Sequence, residues 1–238
     1  KLVEDSTGIV VRVTQDPTLA TLAKVRMATR DVPAHLITYN PNKGAELDYV
    51  ICCECGFILR LFACPPEQRR VFAVTDHGRQ SVRLMLETAK GAVGMARMPV
   101  AVRQQLADQL FNGVMIQLRS CPIGMRVDNW LRRDFPELRE LQETSVKKQM
   151  QDNAQVLAPQ VRQLTPEVIY RASVAMNAAM AHVWSGRLSE PRFEAPYKPT
   201  VHWGLATRLI EVLEAEPDSP EGDYRLVDRW AEACGLTG

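Results

Sequence analysis

The segment from Glu46 to Phe62 is nearly all apolar after Glu46 and Asp48 at its start, with Glu54 and Arg60 as the later charges. Its length constrains what it can be. A run of about 15 residues exceeds a usual strand, so it predicts a helix. A helix apolar on every side predicts burial within a core. Pro65-Pro66 ends it. A carboxylate in such a helix must be paired, protonated or functional, because burying an ionised group alone is costly. Glu54 is therefore the first residue to account for.

The flanking chain predicts two short strands and a series of helices. Gly8 to Thr14 (GIVVRVT) alternates and is β-branched, and Ala34 to Asn40 (AHLITYN) has the same character. Asp16-Pro17 carries a cap residue and a first-turn proline, which predicts a helix to about Arg30 over Leu19, Leu22, Ala23, Val25 and Met27. Pro41-Asn42-Lys43-Gly44 reads as a turn. Arg69 to Thr75 reads as a strand or loop, Gly78 to Lys90 as a helix, and Gly91 to Pro99 as a break. Helical periodicity runs from Pro99 to Arg119, is expected to stop at Ser120-Cys121-Pro122, and resumes from Ile123 to Phe135. A further helix starts at Pro136. Thr165-Pro166-Glu167 reads as a capped start for a helix to about Trp184. The last two helices cover about Thr200 to Ala215 and Tyr224 to Cys234, separated by a Pro- and Gly-bearing acidic stretch. Strands come early and helices later, which predicts an α+β, predominantly helical fold with a small N-terminal sheet packed on the apolar helix. A single domain over 1–238 is the economical organisation, with 1–90 and 99–238 as its subdivision.

Bulk properties narrow the function classes. A net charge of +1 gives no whole-chain case for nucleic acid or an anionic membrane. No apolar run reaches membrane-spanning length. The first residues, Lys1-Leu2-Val3-Glu4-Asp5, begin without Met and lead into no apolar h-region, which fits a piece of a longer chain and not a signal peptide. Cys52, Cys53, Cys55, Cys64, Cys121 and Cys234 are expected as free thiols in a reducing, cytoplasmic setting.

Within the apolar segment, Cys53-Glu54-Cys55-Gly56-Phe57 places residues 53 and 57 one turn apart on one face, with a glutamate beside the first. That is the spacing by which a helix offers two ligands to one metal and a carboxylate as general base. The stretch resembles the zincin metallopeptidases, whose helix reads H-E-x-x-H. The resemblance covers about the first quarter of the chain. It implies a strand ahead of the helix that forms the edge of a substrate cleft, which would be Ala34 to Asn40, and a third metal ligand on a later helix, for which Asp128 is the best-placed residue. Cys53 stands at the first histidine and can bind zinc as a thiolate. Phe57 stands at the second and can bind nothing.

Three functional readings follow. The first is a zincin-like protein that has lost the metal-binding histidines and serves as a non-catalytic binding or regulatory protein. It needs no cofactor and takes a protein or peptide along the Ala34 to Asn40 strand. The second is a zinc-dependent hydrolase with Cys53 as an unusual ligand, Glu54 as general base, and Asp128 or His77 completing the site. The third is a helical structural or interaction protein unrelated to peptidases, in which the cysteines pack as small apolar residues and Glu54 pairs with Arg60 or another base. No Gly-Lys-Ser/Thr phosphate loop and no G-x-S-x-G elbow is present.

Overall fold

A computed structural model describes residues 1–42, 44, 46–70, 76–88 and 99–236. A short helix α1 (Leu2–Thr7) ends on Gly8, whose φ of 69° is the left-handed conformation that suits glycine at a helix end. It leads into strand β1 (Val11–Gln15). Strands β2 (Ala23–Arg26) and β3 (His35–Tyr39) follow, and the three form a sheet in the order β1-β3-β2. β1 runs parallel to β3, and β2 antiparallel to it. The strand expected at residues 34–40 is thus present but lies at the centre of the sheet. It is not a cleft edge, and it has no open side to accept a peptide.

The helix expected from Asp16 to Arg30 does not form. Asp16 accepts hydrogen bonds from the Thr18 N–H (2.9 Å) and hydroxyl (2.6 Å), so it makes a local turn. The buried Asn40 amide donates to Pro17 O (3.1 Å) and Leu19 O (2.9 Å), which holds that turn against the sheet. Ala23, Val25 and Met27 alternate with Lys24 and Arg26. That period of two is realised as β2.

Helix α2 (Leu47–Phe62) occupies the expected segment and packs on the sheet. Ile51, Cys55, Ile58, Leu59 and Phe62 meet Val3, Val11, Val25 and Ile37. The expectation of burial on every side is corrected: Tyr49, Gly56 and Ile58 are buried, while the three cysteines, Glu54 and Phe57 are only half-buried. A second stripe of α2 meets the far end of a long helix, described next. Between these two faces a third stripe, with Val50, Glu54 and Leu61, remains partly open.

Helix α3 (Asp76–Thr88) precedes helix α4, which runs unbroken from Val100 to Asp134 with Pro122 inside it. The expected stop at Ser120-Cys121-Pro122 is absent. Pro122 removes one helical hydrogen bond, at a cost of about 3 kcal/mol. Burial outweighs it: Leu118, Cys121, Ile123 and Met125 are all buried around the proline. Helices α5 (Arg139–Ala154), α6 (Pro159–Leu164), α7 (Glu167–Leu188), α8 (Trp203–Ala215) and α9 (Pro220–Cys234) complete the order. The fold is α+β and predominantly helical. At the start of α7, Pro166 takes the N-cap and Thr165 supplies no side-chain cap. The expected strand or loop at Arg69 to Thr75 and the break at Gly91 to Pro99 fall largely outside the described residues.

Two compact units divide the chain. One comprises Lys1–Arg70, Ile123–Lys147 and Asp218–Gly222; the other comprises Val71–Pro122, Lys148–Pro217 and Asp223–Gly238. The second unit is built around α7. Ala172, Ala175, Ala178, Ala179 and Ala181 are buried on successive turns, so neighbouring helices approach closely, and Trp184 is fully enclosed. Trp230 of α9 is also enclosed and donates from Nε1 to Leu209 O of α8 at 3.0 Å.

Two outcomes test this packing. A Cβ added at Gly56 would lie 2.5 Å from Val127 Cγ1 and 3.4 Å from Trp130 Cζ3. Val127 is buried and β-branched, so it cannot rotate away freely. Gly56→Ala is therefore expected to lower stability by about 1–2 kcal/mol in urea unfolding despite its better helix propensity, and Val127→Ala in the same chain to recover part of the loss. The second concerns His35, fully buried in β3. Its Nδ1 accepts from the Ala28 N–H at 3.1 Å. Protonation would set two donors against each other. Burial, and secondarily the Arg69 cation, hold its pKa below the ordinary 6.5. The unfolded chain then binds the proton first, so stability is full above that pH and falls as pH drops below it. His35→Gln keeps an acceptor without the titration, and its unfolding midpoint should vary less between pH 8 and pH 5 (~three units) than that of the parent.

Candidate functional site

The second stripe of α2 carries Tyr49, Cys53, Gly56, Phe57 and Arg60, which follow one another at helical spacing. It faces the segment of α4 around Val127, Asp128 and Trp130. Gly56 sets the closeness of that approach. Gly124 plays the matching part on α4: a Cβ built there would lie 3.6 Å from the tip of the Phe57 ring.

At the centre is Asp128, buried, with two donors from α2 on one oxygen. The Tyr49 hydroxyl donates to Asp128 Oδ1 at 2.5 Å, and the Cys53 thiol approaches the same oxygen at 3.8 Å. On the other side, the Gln142 amide of α5 donates to the Asp128 backbone carbonyl at 2.9 Å. Arg132 reaches Gln142 Oε1 (3.4 Å) and Glu143 Oε1 (3.0 Å). The network thus runs from α2 through α4 to α5, within the first unit.

Its electrostatics favour neutral donors around one acceptor. Burial, then the Asp128 charge, pushes the Tyr49 hydroxyl well above its ordinary value. The same two causes push the Cys53 thiol well above its own. Burial also raises Cys52, and raises Cys55 to about 11. At neutral pH Cys53 is a protonated hydrogen-bond donor. A thiolate ligand or nucleophile requires the opposite.

The structure therefore brings Cys53 and Asp128 together, with the Tyr49 hydroxyl on the same Asp128 oxygen. Glu54 lies on the neighbouring, half-open stripe of α2. Arg60, the partner expected for Glu54, pairs with Asp218 at 2.6 Å. His77 stands exposed in the first turn of α3, in the second unit, whereas Cys53, Glu54 and Asp128 all belong to the first. Among the described residues no group of three His, Cys, Asp or Glu side chains is placed to hold a metal ion. A catalytic zinc takes three protein ligands and an open position. One protonated thiol, one carboxylate oxygen already engaged by a hydroxyl, and a phenyl ring do not supply them, so the residues present do not fit that metal.

Tyr49, Gln142 and Arg132 are participants not anticipated from the sequence. Tyr49 was legible in principle: it stands four residues before Cys53 and so shares its face. Beside the network, Leu59, Ala63, Val127, Trp130 and Pro220 line a largely apolar cavity of about 310 Å³, with the Arg60–Asp218 pair on its wall.

No protein-family model, no curated protein and no solved structure matches the chain.

Removing one donor tests the network. Tyr49→Phe strips the strong bond from a buried carboxylate and is expected to cost about 1–3 kcal/mol in urea unfolding. Cys53→Ser retains a donor and should cost less. Equal losses from the two substitutions would show that the hydroxyl is not the principal partner.

Proposed function

We infer that the chain is a non-catalytic binding or regulatory protein, in which a zincin-like helix serves packing and not metal chemistry. The observation that carries this reading is the convergence of Tyr49 and Cys53 on one oxygen of Asp128. A peptidase needs that carboxylate and its neighbour as open ligands. Here both are spent on a closed hydrogen-bonded contact between α2 and α4. Phe57 in the place of a ligand agrees with this, as does a thiol whose surroundings keep it protonated. The protein works without a bound metal or cofactor and takes a protein or peptide partner. Six free cysteines favour a reducing compartment, with the cytoplasm as the natural choice. Among the described residues no helix is long and apolar enough to cross a membrane.

Elemental analysis of the purified full chain, beside a peptidase assay, tests the reading. The expected result is far less than one zinc per chain and no hydrolysis that Glu54→Gln removes. Stoichiometric zinc together with hydrolysis abolished by Glu54→Gln would overturn it.

A further inference from the structure

The sheet has an open edge at β1, because β3 is its only ladder partner among the described residues. The register shows which backbone groups are unused by that ladder. Val10 O accepts from the His35 N–H, and the Asp16 N–H donates to Tyr39 O, both on the β3 side. In a parallel pair the even-numbered residues of β1 therefore face β3, and Val11, Val13 and Gln15 turn their N–H and C=O outward. The first outward donor, the Val11 N–H, is held at 3.0 Å by the Glu4 carboxylate of α1. An acidic oxygen thus already sits where the carbonyl of an added strand would begin.

The two faces of this edge differ. On the core side, Val13 is half exposed beside the fully buried Ile37. On the opposite side the register aligns Arg12, Leu36 and Arg26 in one row, and Thr14, Thr38 and Lys24 in the next. Arg12, Lys24 and Arg26 are all exposed, and the rows contain no acidic residue. Asp16, half-buried just past the end of β1, is the carboxylate that senses Lys24. A charge placed beside β1 lies one strand spacing, about 5 Å, from the row position of Arg12, whereas Arg26 is three spacings, about 14 Å, away and largely screened, so Arg12 is the cation that acts on it.

We propose that β1 is the docking edge for an extended acidic segment of a partner protein, whose residues alternate between apolar and acidic. Its backbone adds to Val13 and Gln15 as a fourth strand. Its apolar side chains cover Val13 on the core side, and its carboxylates meet Arg12 on the open face. Charge complementarity selects the acidic occupant, and the unused backbone edge selects an extended peptide over a nucleic acid. The rows also lack an aromatic side chain on which a base could stack. The proposal rests on the partner-binding reading above and gives it a site and a chemistry.

The probe is a labelled, end-blocked Val-Glu repeat peptide about as long as a strand, followed by fluorescence anisotropy on the full chain. Saturable binding is expected, weakening with salt, with hydrogen-exchange protection appearing at the Val13 and Gln15 amides. Arg12→Glu and Val13→Pro should each weaken it about tenfold, the proline because it removes an outward N–H and leaves the β3 ladder intact. A Val-Lys repeat should not bind. No binding of the Val-Glu peptide, or binding without protection of the two amides, overturns the proposal; in the first case the charges serve only to keep the edge unpaired. A single-stranded oligonucleotide that binds in an Arg12-dependent way, with those amides unprotected, also overturns it and assigns the basic face to nucleic acid. These outcomes are separate from the zinc test: a zinc-free, inactive chain that ignores the peptide keeps the non-catalytic reading and loses this edge.

Discussion

A carboxylate taken out of water must find donors, and Asp128 finds them on α2. That requirement organises the first unit. Tyr49 and Cys53 share a stripe because they are one turn apart. For their side chains to reach Asp128, α2 and α4 must approach closely, and Gly56 permits it by presenting no side chain to Val127. The opposite stripe of α2 is left for the sheet, where Ile58 and Ile37 are fully buried. One helix thus satisfies a charge on one side and builds an apolar core on the other. The residues that resemble a catalytic motif are the ones that join these two tasks.

The arrangement changes where a partner could meet the sheet. β3 is paired on both sides, so its backbone groups are used within the fold. What stays open among the described residues lies along the two edge strands, and of these β1 is mostly exposed on both faces. Edge strands of this kind are commonly guarded by charge. Here the guard is of one sign on one face and is interrupted on the other by Val13.

Much of the first unit was legible in the sequence, and the exceptions have physical causes. The helix at residues 47–62 was set by its length and its proline stop. The helical character of the rest was set by apolar periodicity. β2 was misread because Asp16-Pro17 is an equally good turn, and the deciding partner, Asn40, lies far along the chain. The unbroken α4 was missed because a local rule about proline cannot weigh the buried side chains around it. Position 53 and Asp128 were singled out separately and do meet. The Tyr49 hydroxyl on the same oxygen, and the support from Gln142 and Arg132, depend on which helices adjoin, and no single-segment pattern contains that information.

The strand order has a further consequence for how the sheet assembles. β2 and β3 are joined by the short connection from Met27 to Ala34, where Thr29 and Val32 exchange two hydrogen bonds. β1 reaches β3 only by enclosing the whole of β2, so its pairing closes the larger loop and carries the larger entropic cost. Loop-closure entropy therefore favours the antiparallel pair forming before β1 adds to it. β1 is held by one ladder, as β2 is, and closes the larger loop, which makes it the strand expected to fray first. Its bond from Val11 to Glu4 then acts as a clasp that keeps the final strand in register.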